Sequence, residues 1–322
     1  MLSERRCGTL TISSPFYRRL YAYLRERFPP LRFGLLIICF YSANQFLASA
    51  LAHPGTSMRY TVDSLLGAVT VFCIFFLLRV SDEHKDYAED ARLHPGRVLH
   101  RGLISLADLR MLGALGMGTA FVLSAARGVA PFAAVVIALG FSFLMLKEFF
   151  SRDWLRGHFL LYAAAHMLIM PLIALVVYSF TTGDYPWTAP GWFWLYAFVR
   201  FFLFFDWEIS RKVRSSAEEI EGVDGYNKTL GPYGAVYAVL VLRLISTVMV
   251  AAVGFHLCLR PWFYLIPITL YGLSLVSCVR FRLSTGPRAA KIMKVYASVY
   301  LVAFDLALIF GIAGLYGFGL RP

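Results

Sequence analysis

The sequence predicts an all-α fold, a polytopic membrane bundle of about nine transmembrane helices around a central cavity. Three observations carry this prediction. Of 322 residues, 59% are hydrophobic and 16% charged, whereas soluble domains are about half apolar and a quarter charged. Windows of about 18 or more nearly uncharged residues recur along the chain, the length that crosses a ~30 Å hydrocarbon core. The basic residues gather between alternate windows, the pattern of a multi-pass protein.

Nine spans follow in order, at about 33–52, 61–80, 107–127, 130–147, 158–180, 190–206, 233–255, 261–280 and 295–318. With the N-terminus in the cytosol, 26 of the 31 Lys and Arg fall on cytosolic segments. Only Arg59, Arg127, Arg260 and Arg321 face outward, and Arg243 lies inside a span. The expected topology is therefore N-in and C-out. A bacterial inner (plasma) membrane is the expected location. No fixed-period repeat or separate soluble domain interrupts the pattern, so residues 1–322 read as one transmembrane domain.

Residues 1–32 form its cytosolic lead-in, with no apolar core of signal-peptide length. Ser14 and Pro15 read as N-cap and first helical residue. Phe16, Leu20, Leu24 and Phe28 then recur every four residues, with Arg18, Arg19, Arg25 and Arg27 largely on other faces, until Pro29 and Pro30 stop the pattern. This reads as a short amphipathic helix on the cytosolic leaflet.

The net charge of +12 and pI of about 9.6 are a topology signal. The basic residues are spread over five short segments rather than one patch, which argues against a nucleic-acid partner. The five cysteines, Cys7, Cys39, Cys73, Cys258 and Cys278, have no metal-ligand spacing and imply no disulfide framework.

Two cytosolic segments carry the chemistry. Where the second span ends, Asp82, Asp86 and Asp90 follow at intervals of four. Residues so spaced share a helix face, and like charges there repel. Such a row is favourable when cations sit among it, and hard oxygen ligands select Mg²⁺ or Ca²⁺. After the aromatic sixth span come Asp206, Glu208, Glu218, Glu219, Glu221 and Asp224, with Arg211, Lys212 and Arg214 between them. A third segment adds Lys147 and Arg152. Two acidic rows with basic neighbours, opening onto apolar helices, suit a diphosphate joined to a long hydrocarbon. The implied chemistry is metal-assisted departure of diphosphate to leave an allylic cation.

In these residues the chain resembles the UbiA superfamily of intramembrane prenyltransferases. The first motif of that family reads Asn-Asp-x-x-Asp-x-x-x-Asp, followed by Arg-Pro-Leu-x-x-Gly-x-x-Ser. Here Ser81, Asp82, Asp86 and Asp90 stand in it, then Arg97-Val98-Leu99, Gly102 and Ser105. The second motif has two aspartates four apart, then Gly-x-x-Thr-Leu and a further Gly. Gly222 and Gly231 keep its nine-residue spacing, and Glu218 falls four before Gly222. The sequence departs from the family at Ser81, at the four-residue step from Asp82 to Asp86, and at Arg214, where the family has an acid.

The resemblance implies a Mg²⁺-dependent transfer of an isoprenoid from its diphosphate to a lipid or aromatic acceptor, or cyclisation of the same cation. Asp82, Asp86 and Asp90 would hold metal in the first row, and Asp206, Glu208 and Glu218 in the second. Arg97, Lys147, Arg152, Arg200 and Lys212 would contact diphosphate. A cation transporter would instead place its ionisable residues near midplane on broken helices. The Asp-Gly-x-x-Ala-Arg signature of CDP-alcohol phosphotransferases is absent.

Polar residues within spans face the bundle interior. Asn44, Gln45 and His166 read as packing or hydrogen-bonding residues, and Arg200 as near enough to Asp206 to reach phosphate. Arg243 and Asp305 each lie ten residues from the cytosolic start of their spans, so their matched depths predict an ion pair.

Overall fold

The computed structural model describes residues 11–213, 226–283 and 286–319. These residues are built almost wholly from helices. Helix α1 is Phe16–Arg27, and a bend at Phe28–Pro29 leads into α2 (Pro30–Ala52). The chain returns as α3 (Val62–Lys85), continues in a short α4 (Tyr87–Leu93), and crosses again as α5 (Leu106–Arg127) and α6 (Val129–Leu146). A 3₁₀ turn at Glu148–Phe150 leads to α7 (Arg152–Gly157), α8 (Phe159–Met167) and α9 (Ile169–Thr182). The last four helices are α10 (Gly191–Lys212), α11 (Tyr226–His256), α12 (Trp262–Leu283) and α13 (Pro287–Tyr316).

The ends of these helices follow from local chemistry. Thr61 and Ser64 form a capping box at the start of α3, and Ser105 and Asp108 form one at the start of α5. Each box satisfies two backbone N–H groups that lack intrahelical partners. α9 ends at Gly183, whose φ of 82° is the left-handed conformation of a helix terminator. At the N-terminus the boundary lies one residue later than the sequence suggests. Pro15 is the N-cap of α1, while Ser14 Oγ accepts from the Thr11 amide.

Among the described residues, eight segments are long and apolar enough to cross a membrane, α8 and α9 together forming one of them. They match eight of the nine expected spans. The remaining one, at 190–206, is α10, where Arg200, Asp206 and Glu208 interrupt an aromatic run. The protein is a multi-pass integral membrane protein. Going round the bundle, α2, α3, α5, α6, α9, α10, α11, α12 and α13 each pack on the next, and α13 returns to α2. α9 also packs against α2 and α3, and α10 against α13. Between helices in lipid, packing and polar links replace the hydrophobic effect as the associating force. The shared core contains Phe40, Phe75 and Phe204 in mutual edge and tilted ring contacts.

Two features orient the ends of the bundle. Tyr23 of α1 is buried with Val98, Leu99 and Ile104 of the α4–α5 connection. Arg19 donates to the Leu103 carbonyl, and Glu26 accepts from the Val98 amide. α1 is therefore docked on protein, with Tyr17, Arg18, Tyr21 and Arg25 left exposed. At the other end Met58 and Phe318 form an isolated β-bridge, tying the last described residues to the α2–α3 loop.

Candidate functional site

The acids of the first row lie where α3 gives way to α4. Asp86 is the hinge between the two helices, but the backbone ladder runs through it. The Asp86 amide donates to Asp82 and the Asp90 amide to Asp86, at 2.9 and 2.8 Å. The three aspartates therefore stay in one row, with different surroundings. Asp82 is half exposed, 3.9 Å from Lys85 Nζ. Asp86 is exposed. Asp90 accepts from Arg97 and, at 3.4 Å, from Arg27. Asp86 is held above the ordinary carboxylate range by the protein packed near it and by repulsion from Asp82, Asp90 and Glu89, with Lys85 opposing.

A fourth acid, Glu83, points away from this row and is 2% exposed. Arg27 and Arg79 both donate to its Oε1 at 2.6 Å. This cluster ties α1 to α3. Sequence reasoning did not single out Glu83. Its offset of one residue from Asp82 was the available signal, because that step turns a side chain about a quarter of the way round the helix.

The α6–α7 connection supplies a second wall. Glu148, Phe149 and Phe150 have φ of 47°, 52° and 55°, a left-handed run of three non-glycine residues. Such backbone costs about 1–3 kcal/mol per residue. Here it turns Glu148 inward to 5% exposure. Its carboxylate accepts from Tyr162 Oη at 3.3 Å and pairs with Arg152 at 2.7 Å. Lys147 Nζ lies over the Phe143 ring, and Lys85 Nζ over the Tyr162 ring.

The C-terminal end of α10 forms the third wall. Glu208, nearly buried, is clasped by Arg211 and Lys212 of its own helix at 2.7 and 2.6 Å. Arg211 lies within electrostatic reach of Asp82 and Arg79 on α3, which brings the first and third walls together. Glu218, with Arg214, Glu219, Glu221 and Asp224, lies outside the described residues. Gly231 of the second motif has φ 77° and ψ 169° inside α11, a backbone state essentially reserved for glycine. Gly102 and Ser105 of the first motif serve as a left-handed turn at φ 72° and the N-cap of α5.

Two expected site residues are placed elsewhere. Asp206 is 1% exposed and accepts from Arg243 Nε at 2.8 Å and from Ser210 Oγ at 3.0 Å. Arg200, fully buried, pairs with Asp305 and the Tyr196 hydroxyl. The expected Arg243–Asp305 pair is thus replaced by two pairs, both anchored on α10. Depth along a span left the partners undetermined. The packing of α10 against both α11 and α13 sets a nearer partner beside each charge, and a charge in hydrocarbon takes the nearest opposite one. Arg97, expected to contact diphosphate, is engaged with Asp90.

No protein-family model matches the sequence, and no curated protein sequence matches it. Solved structures do. The apo structure of a UbiA homolog from Aeropyrum pernix K1 superposes with a TM-score of 0.64 at 14% identity, over 84% of this chain and 96% of that one. A digeranylgeranylglyceryl phosphate synthase superposes at 0.61 and 17% identity, over 92% and 99%. A UbiA homolog from Archaeoglobus fulgidus bound to GPP and Mg²⁺ gives 0.50 and 18%, over 89% and 99%. This chain has the UbiA fold. In this UbiA-fold bundle the Asp82–Asp90 row, the Lys147–Arg152 turn and the Glu208–Lys212 turn all lie at the end that carries α1, opposite the Met58–Phe318 bridge.

Proposed function

We propose that this protein is an intramembrane prenyltransferase, moving an isoprenoid from its diphosphate to a lipid or aromatic acceptor with Mg²⁺. The observation that carries the reading is the row of Asp82, Asp86 and Asp90 at one end of a UbiA-fold bundle. Two of these carboxylates are accessible, and Asp90 is braced by Arg97 and Arg27. Like-charged aspartates one turn apart destabilise a helix unless a cation lies among them.

The donors present suit Mg²⁺. Among the described residues no three His, Cys, Asp or Glu side chains converge as a ready-made cage. Mg²⁺ usually needs only one or two carboxylates, with substrate phosphates and water completing its octahedron. Asp82 and Asp86 are that pair in this reading, with Glu218 a further ligand and Asp90 a brace. Asp206 and Glu208 leave the metal set, since Arg243 and the Arg211–Lys212 pair already neutralise them. Arg200 and Arg97 leave the diphosphate set for the same reason. Lys147, Arg152 and Lys212 remain there and Arg211 joins them, because the last three, although paired with Glu148 or Glu208, keep about half of each side chain exposed, unlike Arg200 and Arg97. When bound, Mg²⁺ would neutralise charge on the departing diphosphate. The protein residues bind the diphosphate, hold C1 of the allyl group above the apolar core and exclude water. The reading also places α1 and the acids on the cytosolic side.

The test is direct. Asp82→Ala and Asp86→Ala should each abolish geranyl diphosphate turnover in detergent with little change in melting temperature, and EDTA should abolish wild-type turnover reversibly. Full activity of Asp86→Ala, or wild-type turnover in excess EDTA, refutes the assignment. Lipid mass spectrometry of cells with and without the gene would identify the acceptor.

A further inference from the structure

We infer that His166 is the general base of this site, the group that takes the proton from a hydroxyl-bearing acceptor. The inference rests on the prenyl-transfer reading and names a residue that reading does not contain.

His166 is the penultimate residue of α8, at the break before α9, where Pro171 removes a helical N–H. It is 7% exposed. Its Nδ1 lies 2.8 Å from the Tyr162 carbonyl oxygen. A carbonyl only accepts, so Nδ1 carries the hydrogen and Nε2 carries the bare lone pair. That Nε2 is buried and has no hydrogen-bond partner. A desolvated, unsatisfied nitrogen costs stability; His84 Nε2 and the His100 ring nitrogens share that state, and its surroundings set His166 apart. A base awaiting a substrate proton needs such a nitrogen.

The ring is fixed from two sides. Tyr162 packs on it with centroids 4.2 Å apart, and Phe149 meets it edge-on at 5.7 Å. Phe149 is the middle residue of the left-handed turn, so the strained backbone has an identifiable result. It presents Phe149 to the imidazole and buries Glu148 beside Tyr162. Strain of this kind clusters where function requires a fixed geometry.

The charged groups facing His166 come from every neighbouring element. Glu148 stands on the turn, Lys85 on α3 and Glu208 on α10, with the Tyr162 hydroxyl on its own helix. Burial of the ring disfavours the imidazolium that proton uptake creates, and Glu148 and Glu208, each already paired with basic residues, favour it. Lys85 opposes it and is itself offset by Asp82. The same lysine links this group of residues to the acid row. Tyr162 and Glu148 are positioning residues. The first sets the tautomer through its carbonyl, and the second accepts from the Tyr162 hydroxyl.

The step balances as follows. The C1–O bond of the allylic diphosphate breaks and its electron pair leaves with the diphosphate. A lone pair of the acceptor oxygen forms the new bond to C1. The acceptor O–H bond breaks, and its proton passes to His166 Nε2 and later to water. The substrate class is therefore an acceptor whose nucleophilic oxygen carries an ionisable proton, a phenol or an alcohol.

The probe is a nitrophenol bearing a hexyl tail, whose phenolate is coloured. Bound to wild-type protein with Mg²⁺ and inorganic diphosphate, it should ionise with its apparent pKa lowered by at least about one unit, a tenfold change in the ionisation equilibrium. His166→Asn keeps a donor for the Tyr162 carbonyl and removes Nε2. It should bind the probe and lose the shift. A second measurement needs no variant. In wild-type protein labelled with ¹⁵N-histidine, one bare ring nitrogen should gain a proton when the probe binds. An equal shift in wild type and His166→Asn, no binding of the probe to wild type, or no protonation of any histidine overturns the proposal. Binding of geranyl diphosphate with Mg²⁺ to wild type is measured separately by calorimetry. Its absence defeats the prenyl-transfer reading. Its presence beside a failed phenol experiment defeats only the assignment of His166.

Discussion

Arg200 and Arg243 show what a charge requires inside a bilayer. Each is held by one aspartate and two aromatic rings. Arg200 has Asp305, with Tyr196 and Phe40 at 4.4 and 5.7 Å. Arg243 has Asp206, with Tyr296 and Tyr300 at 5.1 and 5.0 Å. A lone charge at the bilayer centre costs at least ~2.5–3.5 kcal/mol on insertion scales, so each guanidinium needs an anion and π faces around it. Removing one partner of such a pair costs about 3–5 kcal/mol, while removing both can be nearly neutral. Arg243→Met and Asp206→Leu should each lower the melting temperature in detergent, and the double variant should recover most of the loss. Arg200→Met with Asp305→Leu should behave alike, whereas Arg243→Met with Asp305→Leu should add. Additivity within a proposed pair would refute that pair. Asp86 offers a different measurement. Its folded-state pKa is raised, so the folded protein holds that proton more tightly than the unfolded chain. The stabilisation is present below the ordinary carboxylate pKa and is lost as pH rises through the raised value. In EDTA, Asp86→Asn should therefore raise the melting temperature at pH 7 and leave it unchanged at pH 3.

Among the elements, the helices outrun their own hydropathy on one side. The second span was expected to end near 80 and the sixth near 206, but α3 runs to Lys85 and α10 to Lys212. The ninth was expected from 295, and α13 starts at Pro287. Hydropathy marks where the solvent changes, while a helix continues until a breaker or an uncapped end stops it. These extensions form the walls that bear the acids and bases. The motif spacings likewise became backbone geometry, with Gly102 in a turn, Ser105 at a cap and Gly231 at a kink. Gly231→Ala should cost about 1–3 kcal/mol, because its φ and ψ are essentially closed to a residue with a Cβ. Gly116→Ala lies inside α5 with nothing near its Cβ position and should stabilise by about 0.4–1 kcal/mol. Thermal unfolding of both variants checks the contrast. Loss at Gly116 equal to that at Gly231 would mean the kink carries no special constraint.

At the scale of the molecule, the first and last described segments lie on opposite faces of the bundle. α1 packs on the α4–α5 connection, and residues 317–319 pair with Met58. With 26 of 31 basic residues assigned to the α1 side, the positive-inside rule predicts that this side faces the cytosol. Exposed Cys258, between α11 and α12, should therefore react with an impermeant maleimide added outside intact cells. A cysteine placed at Ser13 in a Cys258→Ser background should react only after permeabilisation. Labelling in the opposite sense would invert the topology.

Composition and periodicity alone determined the solvent, eight of the nine expected spans and the end of the bundle that carries charge, because lipid imposes the same demand on every spanning segment. The row at Asp82, Asp86 and Asp90 was equally legible, since its spacing of four is a local property of a backbone ladder that continues through the Asp86 hinge. Partner choice was not. Which acid faces Arg243, whether Arg97 serves phosphate or Asp90, and that Glu148 turns inward toward Tyr162 depend on helices far apart in sequence. Those contacts exist only once α10 lies between α11 and α13 and the left-handed turn has formed. His166 illustrates the division most clearly. The sequence marks it as a polar residue within a span, and only the Tyr162 carbonyl in the folded chain decides which of its nitrogens is left bare.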